Sequence, residues 1–165
     1  MRADVFIALF VVILNVHKMK IINKSRYELP KYETKWAAGM DIKANIEEPI
    51  TFGMLERVIV PTGLFVEVPR GYELQVRPRS GLAAKFGVTV LNSPGTIDSD
   101  FRNEIKVILV NLSKDAFTIN PGDRIAQLVF ASVESATWEE TDTLSESERI
   151  GGFGSTGTDG RKANG

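Results

Sequence analysis

EIKVILVNL, residues Glu104–Leu112, is a run of aliphatic and β-branched side chains bounded by Asn103 and Ser113. Such a composition suits a pleated strand. A strand with one wet face alternates apolar and polar residues, yet its centre, VILV at Val107–Val110, is apolar on both faces. Something must cover the second face, either the interior of a sandwich or other subunits. A small domain has few spare elements for wrapping, so a homo-oligomer is expected. Outward from this stretch lie similar runs: MKIIN (19–23), MDIKANI (40–46), RVIVP (57–61), GLFVEV (63–68), YELQVRP (72–78), GVTVLN (87–92), AFTI (116–119) and RIAQLVFASV (124–133). Pro and Gly break them at intervals of about 8–12 residues, which predicts an antiparallel all-β sandwich or barrel. The one helical possibility is SGLAAKFG, Ser80–Gly87, with Ser80 as cap and Gly87 as terminator.

At 165 residues the chain has room for a single domain with a proper core. Basic and acidic residues balance, 20 against 21, so neither a nucleic-acid duplex nor an anionic membrane is expected as partner. Any polyanion it binds should be small. No cysteine is present, which excludes a disulfide framework, a zinc ribbon and thiol catalysis. The sole histidine, His17, falls outside the segment expected to fold. Proton transfer would then rest on a carboxylate. The apolar run Val5–Val16 is shorter than the roughly 20 residues of a membrane span, and no small-x-small cleavage site follows it. Residues 1–18 are therefore read as a leader from an upstream start, 19–139 as the β domain, and 140–165 as a C-terminal arm. A cytoplasmic location is expected.

Four stretches carry possible chemistry. RPRSGLAAK (77–85) sets Arg77 and Arg79 before a capped helix start, which makes either an anion pocket or a plain capped turn with surface arginines. LNSPGTIDSDFRNEI (91–105) turns at Pro94-Gly95 and carries Asp98 and Asp100 beside Phe101; it reads as a hairpin able to face a planar ligand, or as an ordinary one with solvated acids. In RIAQLVF, alternation puts Gln127 on a face with Ile125 and Val129, where a polar amide needs a partner. RIGGFGSTGTDG (149–160) sets five glycines around Phe153, as a loose tail or as a flap over a base and a phosphate chain. Asp41 in AAGMDI, taken alone, describes many turn-to-strand junctions.

In this order, AGMDI, PRSGLAAKFG, LNSPGTIDSDFRNEI, PGDRIAQL and GGFGSTG resemble the five ordered motifs of the trimeric all-β dUTPase family, over Met19 to Gly157. The resemblance implies a distorted jelly-roll (β-clip) domain with one short helix, a homotrimer, and three active sites shared between chains. It implies hydrolysis of dUTP to dUMP and pyrophosphate. Asp98 would be the general base that activates water for attack on the α-phosphorus, and Gln127 would help position that water. Arg79, Ser80 and Gly81 would hold phosphates. Asp41 would stand in the outer shell of Mg²⁺, whose direct ligands would be triphosphate oxygens and waters.

By the same resemblance, Asn92 and the hairpin backbone through Thr96 and Ile97, with Lys106 across the ladder, would read uracil. Phe101 would pack on the deoxyribose. Phe153, Gly154, Ser155 and Thr156 would close over base and γ-phosphate, with Arg149 supplying charge. Three departures stand out: Phe101 where the family usually has Tyr, Asn103 where Gly is usual, and one residue fewer between Arg149 and Phe153. A dCTP deaminase of the same fold and a non-catalytic nucleotide-binding protein are the competing readings. The NSPGTID turn and the GFGS tail favour the first assignment over the deaminase, and Asp41, Asp98 and Gln127 favour a catalyst.

Overall fold

The computed structural model describes residues 17–148. In chain order the elements are β1 (Lys20–Asn23), β2 (Gly39–Lys43), β3 (Ile50–Phe52), β4 (Arg57–Glu67), β5 (Tyr72–Arg77), α1 (Ser80–Phe86), β6 (Val88–Val90), β7 (Gly95–Ile97), β8 (Glu104–Asn111), β9 (Phe117–Ile119) and β10 (Arg124–Ser132). All pairings are antiparallel. One four-stranded sheet runs β1-β4-β8-β6, a second runs β2-β10-β5-β7, and β3 pairs with β9. The expected all-β jelly-roll architecture with one short helix is what forms. Two units are distinguished, one ending at Glu134 and the other beginning at Ser135. Residues 135–148 contain no helix or strand. Among the described residues no helix is long and apolar enough to cross a membrane.

A single apolar core takes side chains from all three sheets, including Val60, Val107 and Leu109 from the first, Ile42, Leu74, Val76 and Leu128 from the second, and Phe52 and Ile119 from the third. Each fully buried Leu or Ile contributes about 1.5–3 kcal/mol of transfer free energy. VILV splits as a strand must: Val107 and Leu109 face the core, while Ile108 points outward, opposite Ile59. Ile59 remains 62% exposed and Ile108 half-buried, while Val110 on the same face is buried, so this chain's own described residues cover the second face at one end and leave it open around Ile59.

Three local readings are corrected. RVIVP and GLFVEV form one strand, β4, whose register shifts between Pro61 and Phe65. Gly63 takes φ 70° there, and a Cβ would lie 2.8 Å from the backbone nitrogen of Ser25, so the chain bends without breaking off. Ser80 is the first helical residue rather than the cap; Arg79, still extended, is the cap, and its carbonyl accepts from the N–H groups of Leu82 and Ala83. His17 packs on the fold, its ring 4.5 Å from Tyr72 and 5.5 Å from Phe130. The three-residue strands β3 and β7 are not among the runs expected from the sequence.

Asn111 ends β8 fully buried. Its Nδ2 donates to the carbonyls of Phe52 (3.1 Å) and Asp115 (2.8 Å), and its Oδ1 accepts from the N–H and hydroxyl of Ser113, both at 2.9 Å. Asn111→Leu strands these partners, at about 1–3 kcal/mol per buried group left unpaired. A thermal melt of that variant should show a clearly lowered midpoint; an unchanged one would remove Asn111 as the anchor of this corner.

Candidate functional site

The order β2-β10-β5 sets β10 between two partners. Gln127 lies opposite Asp41 on β2 and opposite Arg77 on β5. Directly paired residues share a sheet face, so Asp41, Gln127 and Arg77 form one polar row across three strands. Arg79 follows two residues beyond Arg77 and folds back over this row. Its Nε donates to Asp41 Oδ1 at 3.0 Å, and its Nη1 donates to the carbonyl of Arg124 at 3.0 Å. Arg124 Nη1 stands 3.4 Å from Asp41 Oδ2. One carboxylate is thus shared by two guanidiniums. The side chains of Asp41 and Arg79 are 23% and 25% exposed, which strengthens their attraction over that of an open surface pair. Beside Arg79 and Arg124 opens a cavity of about 380 Å³ walled by Leu82, Phe86, Phe117 and Ile125.

Gln127 does not sit in the apolar stripe that strict alternation suggests. A register irregularity between Arg124 and Ala126 carries the buried Ile125 out of phase. Ala126 and Leu128 face the core, and Gln127 shares the half-buried outer face with Val129. The amide donates to the carbonyl of Pro78 at 2.9 Å. It lies across Gly39, where a Cβ would come within 2.1 Å of Gln127 Oε1. Glycine is required at 39 so that this amide can lie flat.

The stretch around Asp98 is not a hairpin. β6 pairs with β8 in one sheet and β7 with β5 in the other, so Leu91–Pro94 crosses between sheets. Lys106 is not across a ladder from Thr96 either; it pairs with Pro61 on β4, and its Nζ lies 3.8 Å from Glu104. Asn92, Thr96 and Asp98 are exposed, Ile97 is buried, and Phe101 is partly buried against the core. The Asp98 carbonyl accepts from the Phe101 N–H at 3.2 Å. Arg102 Nη1 donates to the carbonyls of Ser99 and Phe101, each at 2.8 Å, and fixes the turn.

The same registers keep Asp98 away from Gln127. They are offset by four residues along the strands and two strands across, about 16 Å between Cα atoms at ~3.3 Å per residue and ~4.8 Å per strand. The structure therefore gathers Asp41, Arg79, Gln127 and the start of α1 with Ser80 and Gly81, and leaves Asn92, Thr96, Ile97 and Asp98 as a separate group. Arg149, Phe153, Gly154, Ser155 and Thr156 lie outside the described residues. Arg124 was not singled out by sequence, because nothing local in PGDRIAQL reveals that β10 will lie beside Asp41.

A family model for dUTPase matches residues 25–157. The chain belongs to the dUTPase family. It is 56% identical over 141 residues to the deoxyuridine 5'-triphosphate nucleotidohydrolase of Fusobacterium nucleatum, covering 85% of this chain and 97% of that protein. It is 61% identical over 140 residues to the one from Cytophaga hutchinsonii, covering 84% and 91%. Among solved structures, a Staphylococcus bacteriophage 80alpha dUTPase variant with dUpNHpp shares the fold at TM-score 0.76 and 23% identity, covering 86% of this chain and 99% of that one. A variant dUTPase of Staphylococcus aureus phage phi11, described with a structural Mg(II) ion, has TM-score 0.70 at 19% identity, covering 79% and 100%.

In this member of the family, Gly39→Ala should displace the Gln127 amide from the Pro78 carbonyl. A crystal structure of the variant checks it. An unmoved Gln127–Pro78 bond would show that the close approach at Gly39 is not what orients the amide.

Proposed function

We propose that this chain hydrolyses dUTP to dUMP and pyrophosphate, as a homotrimer whose three sites are shared between chains. The observation that carries the reading is the cluster of Arg79 and Arg124 around the single carboxylate of Asp41, on the sheet face that also carries Gln127. Two guanidiniums against one carboxylate leave an excess positive charge suited to a small polyanion. Gly81 supports the same assignment, because a Cβ there would meet nothing within 4 Å in this chain. Packing within the chain does not demand glycine at that position, whereas close approach of a phosphate would.

In this reading Arg79, with the N–H groups and hydroxyl at Ser80 and Gly81, takes the phosphates. Asp98 accepts a proton from water as the water oxygen attacks the α-phosphorus. The bond from that phosphorus to the bridging oxygen breaks, and pyrophosphate leaves with the electron pair. Gln127 positions the water and the α-phosphate. Within one chain Asp98 and Gln127 fall in separate groups, about 16 Å apart between Cα atoms by strand spacing, which supports a site built from neighbours. The exposed Ile59 and outward Ile108 offer an apolar face for such contacts.

Asn92 and the backbone at Thr96 and Ile97 read uracil; pairing its N3–H and O4 leaves cytosine with unmatched groups, a discrimination that reaches about 10⁴–10⁵. Phe101 supports the deoxyribose. Arg149, Phe153, Gly154, Ser155 and Thr156 close over another chain's site. A cytoplasmic location accompanies this role.

The donor set fits Mg²⁺ carried by the nucleotide. Among the described residues no group of three acids or histidines gathers, and both oxygens of Asp41 face guanidiniums. Asp41 would therefore meet the ion through its water shell, with phosphate oxygens as direct ligands. When bound, the ion supplies neutralisation of the phosphate charge and polarisation of the phosphoryl oxygens.

Asp98→Asn should retain dUTP binding and lose turnover by about 10²–10⁴-fold, the range for removing a general base. Product analysis with dUTP, dCTP, dTTP and UTP in the presence of Mg²⁺ tests the reaction itself. Pyrophosphate from dUTP alone is expected. Ammonia from dCTP, or full turnover by the Asn variant, would overturn it.

A further inference from the structure

Strict alternation from Leu128 and Ala126, both buried, would aim the side chain at position 124 into the core. The register irregularity between Arg124 and Ala126 turns it outward instead, to the face that carries Asp41. There Arg124 makes two contacts of different kinds. Its Nη1 stands 3.4 Å from Asp41 Oδ2, and its backbone carbonyl accepts from Arg79 Nη1 at 3.0 Å. With the Arg79 Nε–Asp41 Oδ1 bond of 3.0 Å, the three residues close a ring.

We infer that Arg124 is a positioning residue of the triphosphate site, a role that rests on the dUTP reading above. An arriving triphosphate competes with Asp41 for Arg79. Once Arg79 turns to phosphate, Asp41 would stand as an uncompensated carboxylate beside a polyanion, and like charges at that range repel. Arg124 remains on Oδ2 and prevents this. It thereby lets Arg79 exchange its carboxylate for phosphate while Asp41 keeps its place. The side chain of Arg124 is 53% exposed, so its pairing contributes little to stability and its removal should leave the fold intact.

The test compares wild type with Arg124→Gln, Arg124→Lys and a charge-matched control, Arg70→Gln, on an exposed turn. Calorimetric titration with dUpNHpp and Mg²⁺, and separately with deoxyuridine, is read beside KM and kcat for dUTP. Arg124→Gln should weaken dUpNHpp by about tenfold, the loss of one charge-assisted contact, and raise KM more than it lowers kcat. Lysine should restore part of the affinity. Deoxyuridine binding and the Arg70 control should match wild type. Equal dUpNHpp affinity in Arg124→Gln, or equal losses for dUpNHpp and deoxyuridine, would overturn this inference alone. A wild-type protein that takes up no dUpNHpp would overturn the dUTP reading and this inference with it.

Discussion

The double pairing of β10 is the constraint on which the rest of the molecule depends. With Asp41 on one side and Arg77 on the other, Gln127 has its neighbours fixed by backbone hydrogen bonds before any side chain is chosen. A slip of one residue would turn Gln127 into the core and Leu128 out to solvent. Burial prevents it: Ile42, Leu74, Val76 and Leu128 all lie on the inner face of the same sheet, each nearly inaccessible. The apolar half of each strand therefore sets the register, and the register sets the polar half.

That polar face is itself a consequence of local irregularities. The bulge before Ala126 brings Arg124 out to Asp41, and the missing side chain at Gly39 makes room for the Gln127 amide. The extended Arg79, rather than a serine cap, starts α1, so its guanidinium can fold back over the row. The same geometry that assembles this cluster holds Asp98 about 16 Å from Gln127 by strand spacing. An assembly that draws Asp98 and Gln127 from different chains joins the two separate groups at one site, and this is why the proposed function and the proposed assembly stand together.

Much of this was legible in the chain, and the remainder fails for identifiable reasons. Runs such as YELQVRP and EIKVILVNL carry their own period and composition, so their strand character is local information. The five motifs in order point to the family, which the sequence comparisons bear out. Partnership is not local. That Pro94-Gly95 crosses between sheets, that Lys106 faces Pro61, and that Arg124 reaches Asp41 all depend on pairings between residues distant in sequence. The phase error at Gln127 has a related cause, since a single bulge defeats an argument from alternation. Ile50–Phe52 and Gly95–Ile97 are absent from the expected strands, and their places too are fixed by distant partners, β9 and β5.

The shared site is tested most directly by combining two dead chains. Asp98→Asn and Gln127→Ala, co-expressed with different tags and purified sequentially on both, yield oligomers that contain each variant. If the two groups act across a chain boundary, mixed oligomers should regain activity, with about a third of sites intact, one in each mixed cyclic trimer. Should the mixed oligomers stay as inactive as either parent, Asp98 and Gln127 would not act across chains, and the account would be contradicted.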